Sequence, residues 1–571
     1  MNSLHKHGES YMKSSKLTLA IIATLTAGAS FNASAIDLYV DTATEQIYAK
    51  PGPGRVLMGS FEKTGAAPGA KTAPGQTSAP IAAELSAIRE DLAVKTKDLA
   101  EKTAEIKALK EQSAQSTEVA KEVTQPDAVK VSLKDGVKLE TRDGNFTSEI
   151  HGRVQVDSQE NINQQLNNNF LPGTAGAPTA LDNNVGLRRA RLSMEGTVYH
   201  DIDYKFEYDF TRGQSTAAGI TDAFARYNFS KPFSVKVGSI KEPLSLEEAT
   251  SDIQTSFIER NMAVNTFIDD LNVFKLGIGG NYSADRWQVA GALQTEGPGS
   301  LNNLTALSQN STTATSNNRS GSTGDTGWEL NGRVTGTPWM ESNTKLLHVG
   351  GWGSYVNVNN NLAANGSLNN GGLMFANGMG GNMDRTNILN TGNLSGVSAN
   401  SLRAATFTRA GGETALVYGP FSAQAEYLQT TISGAGYSNN NLYGYYGYMT
   451  YFLTGESRNY VARSASFDRV RPLHNFDMKG GNWGAWELLA GYDKLNLNSG
   501  PITGGTATAG KLGINWYLNP RVRIMTNYVH AFNITTYGAG TNAQGYTNNT
   551  TSAAFNNAKL DMIESRIQLD W

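Results

Sequence analysis

Basic side chains recur at alternate positions in several short segments of this 571-residue chain. Arg189 and Arg191 lie two residues apart, so both point to the same side of an extended strand. A guanidinium forms paired hydrogen bonds with an oxyanion, and fixed charges replace the hydration shell of an ion in a selective pore. With the apolar residues of each segment turned towards lipid, the candidate pore-lining residues are Arg189, Arg191, Lys205, Arg226, Lys236, Lys241, Arg333, Arg523 and Arg566.

Carboxylates fall on the same face by the same rule. They are Glu195, Glu207, Asp209, Glu329, Glu426, Glu487 and Glu564. Ion pairs between the two sets would give a wall of balanced charge, so specific anion binding and a balanced wall both stay open. The whole chain has 48 Lys+Arg against 51 Asp+Glu, which offers no electrostatic case for binding nucleic acid.

Enzymatic and metal chemistry find little support in the sequence. The seven histidines, among them His151, His348 and His530, show no HExxH or other paired-ligand spacing. The chain has no cysteine, which excludes disulfides and thiolate ligands. GxSxG is missing from any strand-turn-helix context, and there is no Walker loop. We expect no enzymatic activity, no metal and no cofactor, with a lipid-hydrolysing barrel as the enzymatic alternative.

The N-terminus has the features of a secretory signal peptide in the expected order. Lys13 and Lys16 precede an apolar run from Leu17 to Ala29, and Ala33-Ser34-Ala35 matches a small-residue cleavage site. We therefore predict a signal peptide over residues 1–35, with a short buried helix as the alternative.

Two further segments precede the main part of the chain. Residues 36–80 are predicted to be an N-terminal segment and flexible linker, because Thr64 to Pro80 is rich in Gly, Ala, Pro, Ser and Thr. Residues 81–125 are predicted to form a coiled-coil helix, which favours a trimer, with a solvated single helix as the alternative. Its seam consists of residues seven apart: Leu85, Leu92, Leu99 and Ile106.

Residues 129–571 show strands of about ten residues with alternating polarity, the pattern of tilted membrane strands. In the clearest one, the outward set Tyr204, Phe206, Tyr208 and Phe210 alternates with Lys205, Glu207 and Asp209. About sixteen such runs can be counted, a number typical of porins. The predicted fold is all-β, an antiparallel transmembrane β-barrel of about 16 strands. No apolar run in the mature part reaches the roughly 18 residues of a membrane helix.

Connections between the predicted strands alternate between tight turns and long polar loops, which would be periplasmic and extracellular respectively. Thr454 to Trp483 is long where a tight turn is expected, which leaves the strand count open near this segment. The last run ends at Trp571, and the same face of this run carries Ile563, Ile567 and Leu569. The run supplies a closing strand for the barrel.

Several segments resemble the phosphate-selective porin O and P family. They are LRRARLSMEGTVYHDIDYKFEYDF (Leu187 to Phe210), KEPLSLEEATSDIQTSFIERNMA (Lys241 to Ala263), GYMTYFLTGESRNY (Gly447 to Tyr460), GAWELLAGYDKLNLN (Gly484 to Asn498) and LGINWYLNPRVRIMTNYVH (Leu512 to His530). The resemblance covers residues 129–571. It implies a trimeric sixteen-stranded outer-membrane channel for passive diffusion of small hydrophilic solutes, with anions such as phosphate among them.

The resemblance also assigns a role to the segment Pro243 to Asp270, whose family counterpart folds into the barrel and narrows it. Its constriction candidates are Glu247, Glu248, Asp252, Glu259 and Arg260. Acidic residues outnumber Lys241 and Arg260 here, which argues against strong anion selectivity unless wall arginines lie opposite. The alternative is a surface loop without influence on selectivity.

The expected location is the bacterial outer membrane, with the N-terminal arm in the periplasm. The expected partners are two further copies of the chain, membrane lipid and lipopolysaccharide, and small solutes or anions. A competing hypothesis makes the protein a structural tether of the envelope that contacts the cell wall through residues 36–125. The true solute and the charges that reach the constriction are left open by the sequence.

Overall fold

The computed structural model describes most of the chain beyond residue 128 and short parts before it. The described residues are 36–41, 47–48, 50, 55–61, 94–95, 97, 101–104, 107, 110, 129–133, 136–166, 180–211, 219–271, 273–295, 327–358, 373–379, 383–384, 386–394, 403–537 and 554–571. The chain divides into two compact units, residues 1–116 and 117–571. The predicted signal peptide lies outside the described residues.

The first unit contains a small antiparallel sheet with strand order β2-β1-β3. Its strands are β1 (Ile36–Asp41), β2 (Ile47–Tyr48) and β3 (Arg55–Phe61). The described positions between 94 and 110 are helical. The heptad seam and its self-association stay a prediction.

The second unit consists mainly of antiparallel strands. Their bounds are β4 (Val129–Ser132), β5 (Val137–Thr141), β6 (Phe146–Gln165), β7 (Asn184–Val198), β8 (Ile202–Asp209), β9 (Ile220–Asn228), β10 (Phe233–Lys241), β11 (Phe274–Ser283), β12 (Trp287–Gln294), β13 (Trp328–Ser342), β14 (Lys345–Asn357), β15 (Ala376–Asn377), β16 (Leu389–Asn390), β17 (Arg403–Tyr418), β18 (Phe421–Ala435), β19 (Tyr437–Phe452), β20 (Asn459–Val461), β21 (Ser466–Asp468), β22 (Ala485–Ser499), β23 (Ile502–Asn519), β24 (Val522–Thr535) and β25 (Lys559–Asp570). Two short helices, α1 (Leu246–Ala249) and α2 (Met262–Phe267), precede a 3₁₀ turn at Asp269–Leu271. No helix among the described residues is long and apolar enough to cross a membrane.

Sixteen strands of the described chain close into one barrel: β6 to β14, β17 to β19 and β22 to β25. Closure comes from the antiparallel pairing of β25 with β6, in which Asp570 lies opposite Arg153 and Lys559 opposite Gln165. The first residues of β6 pair instead with β5 of the β4–β5 hairpin. The ring leaves no open edge, which satisfies the backbone of every strand in lipid. The predicted sixteen-stranded antiparallel barrel is confirmed.

The alternation of the strands sorts apolar residues outwards and charged residues inwards. On β8, Phe206 is exposed on the outer face while Glu207 and Asp209 are buried inside. On β25, Ile567 and Leu569 are exposed outside. The period of two along each strand produces this division, as in other lipid-facing barrels.

The barrel has a short-turn end and a long-loop end. At the short-turn end, β17 and β18 are joined by Gly419-Pro420, where Gly419 adopts a φ of 58°. The long connection between β19 and β22 also lies at this end and contains β20 and β21, which pair with each other. No barrel strand is missing from the count there, because the segment is an insertion and not a misassigned strand.

The wall of the barrel is uneven in height. Strands β8 to β12 have 8 to 10 residues, whereas β17 to β19 have 15 or 16 and β23 has 18. The longer strands bury apolar inward residues such as Leu442, Val529 and Met562 against residues 373–379 and 388–394. The lumen on this side is therefore filled by a hydrophobic core, and water-accessible charge lies towards the shorter strands.

Candidate functional site

The loop between β10 and β11, residues 242–273, lies inside the barrel and is called the inner loop below. Its first helix, α1, is capped by Ser245, whose hydroxyl accepts a hydrogen bond of 3.2 Å from the Glu248 N–H. Glu426 on β18 accepts hydrogen bonds from the Ser245 hydroxyl (3.0 Å) and the Glu247 N–H (2.8 Å). The Tyr446 hydroxyl donates to the same carboxylate at 2.6 Å. These bonds fix one side of the inner loop to the wall.

Charged residues also hold the inner loop to itself. The Glu248 carboxylate lies between Lys241 (2.6 Å) and Arg260 (2.5 Å), so it joins the start of the loop to its middle. Glu247 accepts a hydrogen bond of 2.5 Å from the Asn261 amide. Burial raises the pKa of Glu247, because few charges compensate the loss of water around it.

Three wall arginines converge on Asp252 at the tip of the inner loop. Asp252 pairs with Arg153 on β6 and with Arg189 (2.9 Å) and Arg191 (3.1 Å) on β7. Burial alone would raise the pKa of Asp252, but the guanidinium groups hold it well below the usual range. The carboxylate is thus ionised and neutralised by cations.

A second group of cations surrounds Glu259. Arg188 donates to it from Nε (2.9 Å) and Nη2 (3.1 Å), and Arg566 donates at 2.8 Å. Burial opposes ionisation here too, but the arginines lower the pKa of Glu259. The wall arginines therefore lie opposite the acidic inner loop. Because they neutralise its carboxylates, the acidity of the loop does not by itself argue against anion selectivity.

Arg188 reaches the lumen because of a β-bulge. The β6–β7 register places Arg189 opposite Gln155 and Leu187 opposite Val156, so Arg188 is the extra residue. A bulge turns two neighbouring side chains towards the same side. Strict alternation finds Arg189 and misses Arg188, and the sequence alone carries no sign of the bulge.

A buried cluster on the opposite wall also went unrecognised in the sequence. Lys275 pairs with Glu242 and, at 2.8 Å, with Glu329. Arg409 lies 3.1 Å from both carboxylates and donates to the Phe267 carbonyl at 3.1 Å. Two cations and two anions therefore balance where the inner loop begins and where α2 ends.

Three of the remaining pore-lining candidates each lie beside a carboxylate. Arg333 pairs with Glu413 at 2.7 Å, Lys205 lies 3.4 Å from Asp222, and Arg226 pairs with Asp203. All three side chains therefore have a carboxylate partner.

Arg523 and Lys236 make no ion pair with any described residue. Arg523 donates to the Thr255 carbonyl at 2.8 Å. Lys236 lies over the Phe224 ring, 4.9 Å from its centroid. Neither cation therefore has a described carboxylate at ion-pair distance, and Asp222 acts on Lys236 and Glu487 on Arg523 only at longer range.

In two ion pairs of the site, solvent reaches the basic side chain more than the acidic one. Side-chain exposure is 26 % for Lys241 against 0 % for Glu248, and 16 % for Arg188 against 9 % for Glu259. Arg189 (7 %) and Arg191 (9 %) are as buried as Asp252 (10 %), and Asp270 near the end of the inner loop is exposed. Closer to the short-turn end, Glu149 and Glu195 are exposed as well.

The connection between β19 and β22, residues 453–484, is called the rim insertion. It enters the lumen, where the Tyr460 hydroxyl lies 2.7 Å from His348 Nδ1 and the Phe467 N–H donates to Thr250 of the inner loop at 3.3 Å. The Arg458 guanidinium lies 3.5 Å from the centre of the Phe467 ring. The rim insertion thus supports the inner loop from the short-turn end, a role that its sequence did not suggest.

Comparison with known proteins identifies the family. The family model of phosphate-selective porin O and P matches residues 163–554. Porin O of Pseudomonas aeruginosa is 28% identical over 416 residues, which span 70% of this chain and 86% of that protein. An uncharacterized protein of Caulobacter vibrioides is 25% identical over 392 residues, 67% of this chain and 68% of that one.

Solved structures match the chain at lower sequence identity. The channel DcaP of Acinetobacter baumannii is 11% identical with a TM-score of 0.40, covering 76% of this chain and 99% of its own. OprB of Pseudomonas putida is 9% identical with a TM-score of 0.41, covering 75% and 95%. Since the family model spans more than half of the sequence, the chain belongs to the phosphate-selective porin O and P family and is an outer-membrane porin, a channel for passive diffusion of small hydrophilic solutes.

Proposed function

We propose that the channel favours small anions, phosphate among them, and that they pass between the inner loop and the wall formed by β6 to β10. The observation that carries the proposal is the greater exposure of the basic side chain in two ion pairs of the inner loop. Lys241 and Arg188 are the more exposed members of their ion pairs, and Glu248 and Glu259 the more buried. Passage needs no energy source and no catalytic step, so we propose no enzymatic activity.

The ion pairs limit how tightly an anion binds. Arg153, Arg189 and Arg191 already share Asp252, so a passing anion competes with a resident carboxylate for their donors. A selective pore needs binding strong enough to admit the ion and weak enough to release it. Lys236, which has no carboxylate at ion-pair distance among the described residues, adds to the attraction.

Recording from the full chain in planar bilayers tests this proposal. In a gradient of potassium chloride, we expect the reversal potential to have the sign that a preference for chloride over potassium produces. Added phosphate should reduce the chloride current by occupying the same cations. A cation-selective reversal potential would contradict the anion proposal, and chloride current indifferent to phosphate would remove phosphate from it.

We also propose a homotrimer, surrounded by outer-membrane lipid and lipopolysaccharide, in which the low wall of short strands faces the other copies. Supporting this, β8 to β12 carry exposed outward residues such as Phe206, Val237, Ile278 and Val289. Because the chain has no cysteine, Val237→Cys introduces one reactive thiol. A thiol crosslinker should give oligomers with Val237→Cys and none with Met449→Cys, on a taller part of the wall.

A second candidate function concerns the N-terminal unit, which we propose lies in the periplasm and contacts the cell wall. The small sheet β1 to β3 and the helical positions between 94 and 110 favour this, because a pore alone needs no separate folded unit. Deleting residues 36–125 behind the signal peptide tests it. Loss of cosedimentation with peptidoglycan and unchanged conductance would support the tether, whereas unchanged cosedimentation would oppose it.

A further inference from the structure

The last part of the rim insertion, residues 471–483, lies on the outside of the barrel and is called the outer finger. The Phe476 N–H donates to the Leu518 carbonyl at the end of β23, at 2.6 Å. The Phe476 ring meets the outward-facing Trp516 edge to face, with centroids 5.3 Å apart. The same insertion that contributes Tyr460 to the lumen therefore crosses the rim and covers the outer wall.

Three tryptophans join the outer finger to the lipid-facing surface. The Trp483 carbonyl accepts the indole N–H groups of Trp486 (3.1 Å) and Trp516 (2.7 Å), and the rings of Trp486 and Trp516 stack at 5.1 Å. The indole N–H groups of Trp486 and Trp516 are therefore satisfied within the protein, so these two rings present apolar area outwards. Tryptophan in this position is typical of the boundary between hydrocarbon and headgroups.

The outer finger also exposes large apolar side chains that the barrel does not cover. Met478 is 81% exposed, Trp483 67% and Leu473 65%. Apolar residues grouped in this way on a surface indicate a contact with another apolar phase or partner. Because the group continues the outward face of β22 and β23, that phase is the membrane.

Basic residues alternate with these apolar ones. Arg471, His474 and Lys479 are exposed, and none makes an ion pair with a described residue. The one carboxylate of the outer finger, Asp477, accepts the backbone N–H of Lys479 at 3.0 Å. The nearby Arg469 is already paired with Asp570. Arg471 and Lys479 are thus available to a negative group at the membrane surface.

We propose that the outer finger is a lipid-binding element that rests on the phospholipid leaflet at the short-turn end. Trp483, Met478 and Leu473 lie at the level of the headgroups and upper acyl chains. Arg471 and Lys479 contact the phosphates of anionic phospholipids, since basic residues at this depth are attracted to an anionic surface. The proposal concerns the membrane side of the rim and goes beyond solute passage.

Fluorescence quenching by brominated lipid tests the position of Trp483. The full chain and its Trp483→Phe variant are placed in vesicles of phosphatidylcholine and phosphatidylglycerol with bromine on the acyl chains. The variant keeps the carbonyl that binds Trp486 and Trp516. The fluorescence of the native chain minus that of Trp483→Phe gives the Trp483 signal, and the same subtraction with Trp328→Phe gives the Trp328 signal. Brominated lipid should quench the Trp483 signal as strongly as that of the lipid-facing Trp328. Quenching by aqueous iodide instead, or by neither quencher as in a contact with another protein surface, would overturn the proposal.

The charge preference is tested with bromine carried by phosphatidylglycerol or by phosphatidylcholine alone. Quenching of the Trp483 signal should favour phosphatidylglycerol in the native chain. Arg471→Gln with Lys479→Gln should reduce that preference by up to about fivefold per side chain. Lys559→Gln, an exposed lysine at the other end of the barrel, should leave it unchanged. Equal preference in the native chain and the double variant would overturn the assignment of these residues to anionic headgroups.

Discussion

Arg566 on the last strand donates two hydrogen bonds of 2.7 Å to the Asp157 carboxylate on β6, the strand that closes the barrel. The two residues lie directly opposite each other in the β25–β6 register. The same guanidinium donates to the Ile258 carbonyl (2.7 Å) and to Glu259 (2.8 Å) of the inner loop. One side chain therefore ties the closing seam to the inner loop.

Replacing Arg566 by Met should destabilise the barrel. Two buried carboxylates, Asp157 and Glu259, would lose a shared partner, and breaking such a buried pair typically costs about 3–5 kcal/mol. We expect a lower midpoint in thermal unfolding followed by electrophoretic mobility. Lys559→Gln, which removes an exposed positive charge from the same strand, should leave the midpoint unchanged. An unchanged midpoint for Arg566→Met would show that the seam does not depend on this residue.

The tip of the inner loop should respond to acid only well below neutral pH. Asp252 and Glu259 have ordinary pKa values of 3.8 and 4.5, and the arginines lower both in the folded protein. A lowered pKa stabilises the fold above the ordinary value, and that contribution is lost as pH falls through the folded value. The protection of the amides of residues 252–260, measured relative to their intrinsic exchange rates, should therefore stay high from about pH 8 to about 5 and fall below about 4. A fall in protection between about pH 7 and 6 would contradict this assignment.

The alternation of polarity was sufficient to predict most of the barrel, because one face of each strand meets lipid and the other does not. Phe206 and Glu207 fall on the predicted sides, and β25 closes the ring as expected. Alternation fails where the register shifts. Arg188 enters the lumen through a bulge, whose position depends on the pairing of β6 with β7 and not on local sequence.

The rim insertion was beyond prediction for a different reason. Residues 453–484 have no strong periodicity, and their structure comes from contacts with distant residues such as His348, Gln424 and Thr250. Such contacts leave no signal within the segment itself. Likewise, the pairing of Asp252 with Arg153 depends on two elements far apart in the chain, so the acidic composition of the inner loop does not by itself give the charge of the site.

Removing one hydroxyl should loosen the rim insertion. In Tyr460→Phe, His348 Nδ1 loses its partner at 2.7 Å while Nε2 stays 3.0 Å from Glu413. A buried polar atom left without a hydrogen bond costs about 1–3 kcal/mol. We expect faster proteolysis within residues 453–484 in detergent-solubilised protein. The control is Tyr418→Phe on the exposed outer face, and equal rates in both variants would argue against a structural role for the bond.

Lys236 should contribute to anion preference, because no described carboxylate lies at ion-pair distance from it and its Nζ is held 4.9 Å above the Phe224 ring. Removing one such charge from a narrow aqueous lumen changes the local ion concentrations by a factor of about two to four. Lys236→Gln should therefore lower the anion-to-cation permeability ratio, read from the reversal potential in a salt gradient. Lys494→Gln removes a lysine that alternates with the buried Asp493 and Leu495 and so points away from the lumen, and it should leave the ratio unchanged. If the two variants shifted the potential equally, the effect would belong to the net charge of the protein and not to a cation inside the channel.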